Sequence, residues 1–205
     1  MIKGNVTLRG KLSSAATLRP NKIGEIYTNF SVTVSLSTGV GNAKDCLVSV
    51  RKKGGTPEEL EKYLIGSWVE ITGILTFRKN KETIYLNLLA DTVEIADETK
   101  SDCILGEIEF YGKVGTEPSI KDDKYGKKYM YFSGYSSEMS GEERAFIWVR
   151  FIRFSGEKEE FLVKGNGIHL SGTLDILFYN DRLSLGCRFT KVTRWVKDKM
   201  LKFRI

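Results

Sequence analysis

The sequence predicts an all-β chain of two tandem five-stranded Greek-key barrels, each with a short helix between its third and fourth strands. Three observations carry this. The chain repeats itself in two halves. Each half shows five segments of alternating apolar and polar residues. A segment with helical spacing falls in the same place in the order.

The repeat is legible at a constant shift. "RGKL" at Arg9–Leu12 lies over "YGKV" at Tyr111–Val114, 102 positions on, and "IGEIYTNFS" (Ile23–Ser31) over "YGKKYMYFS" (Tyr125–Ser133). Beyond the second segment the shift becomes 99, where "LVSVR" (Leu47–Arg51) faces "FIWVR" (Phe146–Arg150) and "GSWVEITGIL" faces "GNGIHLSGTL". The change falls between apolar runs, so one loop is three residues shorter in the second copy. The polar stretch inside "IADETKSDCILG" reads as the junction, dividing the chain into 1–98 and 99–205.

The elements follow in order. "NVTLRGKL" alternates with period two and is the first strand. "IYTNFSVTVSL" is the second, with Phe30, Val32 and Val34 on one face. "DCLVSVRK" is the third. In "TPEELEKYLIG", Thr56 is an N-cap, Pro57 suits the first helical position and Glu59 completes a capping box. Leu60, Tyr63 and Leu64 form an apolar stripe, and Gly66 ends the helix. "SWVEITGILTF" and "TIYLNLLADTVEI" are strands four and five, joined at a polar hairpin tip, "RKNKE". Gly73 and Gly172 sit mid-strand, where glycine marks a sharp barrel corner. Three strands, a helix and two strands, given twice, is the element order of the OB-fold.

The first copy resembles the bacterial single-stranded-DNA-binding protein family. The resembling residues are "NVTLRGKL", "YTNFSVTVS", "EELEKYLIGSWVEITGIL" and "LLADTVEI", which together span most of 2–96. The resemblance implies binding of single-stranded DNA with little sequence preference, in replication, recombination or repair. Two OB-folds per chain is the family's rarer arrangement and implies a homodimer presenting four. Two departures qualify it. The chain ends in a basic "KVTRWVKDKMLKFRI" where the family carries an acidic recruiting tail, and Cys46 and Leu47 stand where strand three usually begins with an aromatic.

Nonspecific single-strand binders combine a cationic groove with exposed rings on which bases stack. In the second copy Phe132 matches Phe30 and points inward with Met130, which turns Tyr129, Tyr131 and Tyr135 outward. On the next strand Ile147, Val149 and Phe151 take the core parity, and Phe146, Trp148 and Arg150 the other. Tyr111 and Tyr179 extend this aromatic face; Tyr179 lies where family members place a stacking ring. The same face of the first copy is polar and basic. Tyr27 is its binding-face ring, and Arg51, Lys52 and Lys53, with Arg78, Lys79 and Lys81 on the hairpin, are its candidates for phosphate contact. "VRKKGG" adds two glycines that let a backbone approach closely. A rival occupant of the aromatic face is a protein: an OB-fold interaction module of a replication or mobile-element complex, or a dimer interface. RNA is a further alternative.

Other classes find little support. The formal charge is +6 and the pI about 9.1, which suits an acidic partner without naming one. Three scattered cysteines and the single His169, a surface residue by its parity, give neither a metal site nor a triad. No nucleophile stands beside a base and no phosphate loop is present, so no enzyme, cofactor or small-molecule substrate is expected. The start "MIKGNVTLRG" has no apolar leader, and no apolar run nears the roughly 20 residues that cross a bilayer. The expected location is the cytoplasm, in association with the nucleoid.

Overall fold

The computed structural model describes residues 1–38, 41–97, 99–140 and 143–196. Glu98 of the proposed junction and most of the basic C-terminal segment, 197–205, lie outside them. The first half contains β1 (Ile2–Leu12), β2 (Thr17–Pro20), β3 (Ile26–Ser37), β4 (Ala43–Lys53), α1 (Pro57–Leu60), β5 (Trp68–Asn80) and β6 (Thr83–Ile95). The second contains β7 (Cys103–Val114), β8 (Ser119–Asp122), β9 (Lys128–Ser140), β10 (Glu143–Arg153), β11 (Gly167–Tyr179) and β12 (Arg182–Arg194).

The fold is nearly all-β, with a closed five-stranded barrel consistent with an OB-fold. In the first half β1 pairs β5, β5 pairs β6, β6 pairs β4, β4 pairs β3, and β3 returns to β1. The strands of the second half pair in the same order, with β7 returning to β9. Burial follows the period-two pattern. Phe30, Val32 and Val34 of β3 are buried, as are Met130 and Phe132 of β9 and Ile147, Val149 and Phe151 of β10. Phe151 packs edge-on against Phe110 at 4.9 Å and tilted against Phe132 at 5.0 Å. Burying such rings contributes the largest favourable term available to a barrel this small.

The four-residue strands β2 and β8 are additions to the predicted elements. Each hydrogen-bonds only to the strand that follows it, β3 or β9. Their residues are half-buried or exposed, without alternation, so they carry no apolar signal.

The helices are shorter than the sequence predicts. In the first half α1 is one turn. Thr56 Oγ1 accepts from the Glu59 amide at 3.3 Å and Pro57 stands in the first turn, as expected, but the chain leaves the helix after Leu60. Tyr63 still packs on the core, its ring stacked on Phe30 at 5.5 Å. The second half has turns in place of a helix. Buried Arg153 explains this. Its guanidinium donates to both Glu159 carboxylate oxygens, at 2.6 and 3.0 Å, and to the Glu157 carbonyl. A carbonyl and a carboxylate two residues apart are thereby drawn to one point, which a helix does not allow. Burial raises the Glu159 pKa and the Arg153 hydrogen bond lowers it; the net result lies below the ordinary glutamate value.

Gly73 and Gly172 occupy matching corners. The β5–β6 register shifts between Thr72 and Gly73, and the β11–β12 register between Ser171 and Gly172. A Cβ on Gly73 would lie 2.2 Å from the Leu89 carbonyl oxygen, and one on Gly172 2.1 Å from that of Arg188. The bulge sharpens the twist until the backbones touch, and only glycine fits.

β1 and β7 pair antiparallel, from Ile2 opposite Phe110 to Arg9 opposite Cys103, which makes all twelve strands one sheet. The register is centred on Asn5 opposite Glu107, residues related by the 102-position repeat shift. The two halves are therefore joined about a local two-fold at that pair, as an isologous dimer joins two copies.

Replacing Gly172 or Gly73 by alanine is expected to cost about 1–3 kcal/mol, the range for forcing an extra carbon into a packed site. Thermal unfolding checks this, and an unchanged midpoint would show that the corner tolerates a side chain. Arg153→Met should cost about 2 kcal/mol at neutral pH, since it removes hydrogen bonds to a charged group. Because the folded Glu159 pKa is depressed, its contribution is present above the ordinary glutamate value and is lost as pH falls. The gap between wild type and variant in urea unfolding should accordingly close on acidification.

Candidate nucleic-acid interface

The outward sides of β9 and β10 hold the aromatic face. The pairing sets Trp148 directly opposite Tyr135, Arg150 opposite Ser133, and Ile152 opposite Tyr131. Tyr135 lies 5.1 Å from Trp148 and 5.6 Å from Phe146, centroid to centroid. Trp148 is 47% exposed and Phe146 42%, while Tyr129, Tyr131 and Tyr135 are half-buried. Trp148 is seated by Gly115, just after β7: a Cβ there would come within 2.3 Å of its six-membered ring. The indole is thus held against the backbone with area left open. Tyr131 and Tyr129 continue the face toward the β8 edge, where the Lys121 ammonium stands 5.8 Å from the Tyr131 ring. Half-buried Arg150 lies between the two ring groups, its Nε without a hydrogen-bond partner among the described residues.

Two predicted members sit apart. Tyr111 on β7 stacks on His169 of β11 at 4.1 Å, nearly parallel at 10°, and meets Trp195 edge-on at 5.7 Å. Its hydroxyl donates to Glu109 at 3.0 Å, and that bond, with burial and the carboxylate charge, raises its pKa. The equivalent cross-strand pair in the first half is the ion pair of buried Arg9 with Glu70, at 3.3 Å. One face of the Tyr111 ring is therefore committed to a structural pair. Tyr179 lies at the tip of the β11–β12 hairpin, 61% exposed, with no ring contact to the patch among the described residues.

The first half presents a groove of about 770 Å³, lined by Arg19, Asn29, Ser31, Ser49, Arg51 and Asn87 among others. The Arg51 guanidinium lies 4.0 Å over the Tyr27 ring, so these two predicted residues form one unit. Lys53 is held by Glu25 at 2.6 Å. That hydrogen bond lowers the Glu25 pKa and raises the Lys53 pKa. Lys52 takes the opposite side of β4 from Arg51 and Lys53, so the three cations do not form one cluster. The glycines after them seal the strand: the Gly54 amide donates to the Ile26 carbonyl at 2.9 Å, and its carbonyl accepts from Thr28. Arg78 is exposed opposite Tyr85.

Four further residues join the site. Arg144, Arg194, Lys113 and Trp195 line a cleft of about 910 Å³ shared with Tyr111, Tyr135 and Phe146. Lys79 and Lys81, at the β5–β6 tip of the first half, share a smaller cleft with Phe146 and Trp148 of the second. Alternation could have placed Arg144 on the face of Trp148. Trp195 lies beyond β12, outside any periodic segment, and carries no such signal.

The cysteines are poorly disposed to chemistry. Burial pushes the Cys46 thiol up to about 11; burial and, less, Glu107 push Cys187 to about 12. Among the described residues no three His, Cys, Asp or Glu group as metal ligands, and no helix is long and apolar enough to cross a membrane.

No family model and no curated protein matches the chain. Among solved structures it is similar to the wild-type single-stranded DNA binding protein from Thermus aquaticus, with 16% identity, a TM-score of 0.48, and 95% of this chain and 93% of that one covered. A deletion mutant of the same protein covers 95% of each chain at 17% identity and TM-score 0.44. A Plasmodium falciparum SSB in complex with ssDNA covers 49% of this chain and 100% of its own, at 20% identity and TM-score 0.37. These likenesses are weak.

Proposed function

We propose that this chain binds single-stranded DNA with little sequence specificity, without catalysing a reaction. The observation that carries the proposal is the Tyr135–Trp148–Phe146 cluster: rings in mutual contact, half open to solvent, on the outer side of a barrel sheet beside Arg150 and Arg144. Exposed rings flanked by cations suit bases that stack and phosphates that need neutralising. In this reading residues 1–98 and 99–205 are two tandem OB-folds with divided roles. The second stacks bases through Tyr129, Tyr131, Tyr135, Phe146 and Trp148. The first holds the backbone, with Arg51 braced on Tyr27 and with Arg78, Lys79 and Lys81. Two chains would assemble as a homodimer, and the cytoplasm, at the nucleoid, is the corresponding location. Replication, recombination or repair are the processes this activity serves.

Trp148→Ala should weaken binding of oligo-dT about 5- to 150-fold, since one stacked base contributes about 1–3 kcal/mol. Wild-type tryptophan fluorescence should be quenched by oligo-dT at low salt, and the loss of Trp148 should remove most of that signal. The logarithm of the affinity should fall with log salt at about −0.7 per phosphate contacted. Fluorescence unmoved by excess oligo-dT at low salt would end the proposal.

A further inference from the structure

The repeat creates two equivalent crossings between the halves, and they differ in charge. At each, the hairpin tip of one half meets the third long strand of the other. The tips also touch one another, through Arg182 and Glu82 at 3.2 Å. Where the β11–β12 tip meets β4, the cation is already paired. Lys44 pairs with Asp181 at 2.9 Å and lies 5.1 Å over the Phe178 ring. Where the β5–β6 tip meets β10, Lys79 and Lys81 face Arg144 across a cleft of about 310 Å³ floored by Phe146 and Trp148. No carboxylate lines this cleft among the described residues, and none of its three cations has an ion pair among them.

By the 99-position shift Asp45 corresponds to Arg144 and Lys79 to Phe178, while Lys44 corresponds to Glu143 and Asp181 to Glu82. Glu82 pairs with Arg182, so among the described residues cations stand on both walls of one crossing and a compensated pair stands at the other. Cations converging on a recess repel each other and concentrate anions there.

We infer that the crossing between the β5–β6 tip and β10 is a phosphate clamp that carries single-stranded DNA from one half of the chain to the other. At the other crossing Lys44 is neutralised by Asp181, so the strand follows one path across the molecule and not two equivalent ones. This inference rests on the proposed single-strand binding. In it Lys79, Lys81 and Arg144 hold successive phosphates while the base between them stacks on Trp148.

The test is a salt titration of dT oligomers on the full chain, followed by Trp148 fluorescence. The variants are K79A/K81A/R144A, the charge-conserving K79R/K81R, and K44A. The triple variant should reduce the log–log salt slope by about two, as three phosphate contacts are lost at about 0.7 each. K79R/K81R and K44A should keep the wild-type slope. Wild-type thermal unfolding of the triple variant would show that it folds. If wild type quenches on oligo-dT and the folded triple variant keeps the full slope, the clamp is overturned and single-strand binding stands. A steeper loss in K44A than in the triple variant would assign the path to the other crossing and also overturn it. If wild type does not bind, both readings fall.

Discussion

The β1–β7 pairing is the constraint on which the rest of the molecule depends. Each of these strands is already the first strand of its own ring, paired to β5 or β11 on one side. Their other edges would be open over much of their length, a row of unmet backbone donors and acceptors. Joining the two edges satisfies both. Because the register centres on equivalent residues, Asn5 and Glu107, the join also fixes the halves in a two-fold relation. That relation sends each hairpin tip to the other half, and so brings Lys79 and Lys81 to Phe146 and Trp148.

A symmetric frame leaves equivalent places free to diverge. The Arg9–Glu70 ion pair of one half and the Tyr111–His169 stack of the other occupy the same cross-strand position. Both join the first strand to the fourth long strand, by charge in one case and by ring contact in the other. Ser49 corresponds to Trp148, and Asn29 to Tyr131, so the outer face is polar in the first half and aromatic in the second. Several core positions are kept, Phe30 with Phe132 and Val50 with Val149, all buried, while buried Thr28 and Val34 correspond to buried Met130 and Ser136. Close packing limits change inside, while the outer face answers to whatever it meets.

Most strands were legible because alternation records which side of a strand meets the core. Tyr135 and Trp148 could be assigned to one face from Phe132 and Val149 alone. Four kinds of feature were not legible. β2 and β8 are too short and too exposed to alternate. The second helix was inferred from the repeat, but Arg153, buried and bound to Glu159, pulls that segment into turns. Lys52 and Lys53 read as one basic run with Arg51, although alternation divides them and Glu25 takes Lys53. Tyr111 read as an open ring, and its partner His169 lies 58 positions away on another strand.

By itself, then, the sequence determined the period-two strands, the repeat, the corners at Gly73 and Gly172, and the side of each strand on which the rings stand. These are local properties, since side-chain direction in a strand follows from position and a repeat from comparison along the chain. Tertiary structure alone decided which rings touch, which cations are neutralised and which half each hairpin tip reaches. Those depend on register between distant strands, and above all on β1 and β7 meeting at Asn5 and Glu107. No periodicity within either strand encodes that register, because an antiparallel ladder pairs residues whose separation in sequence changes along its length.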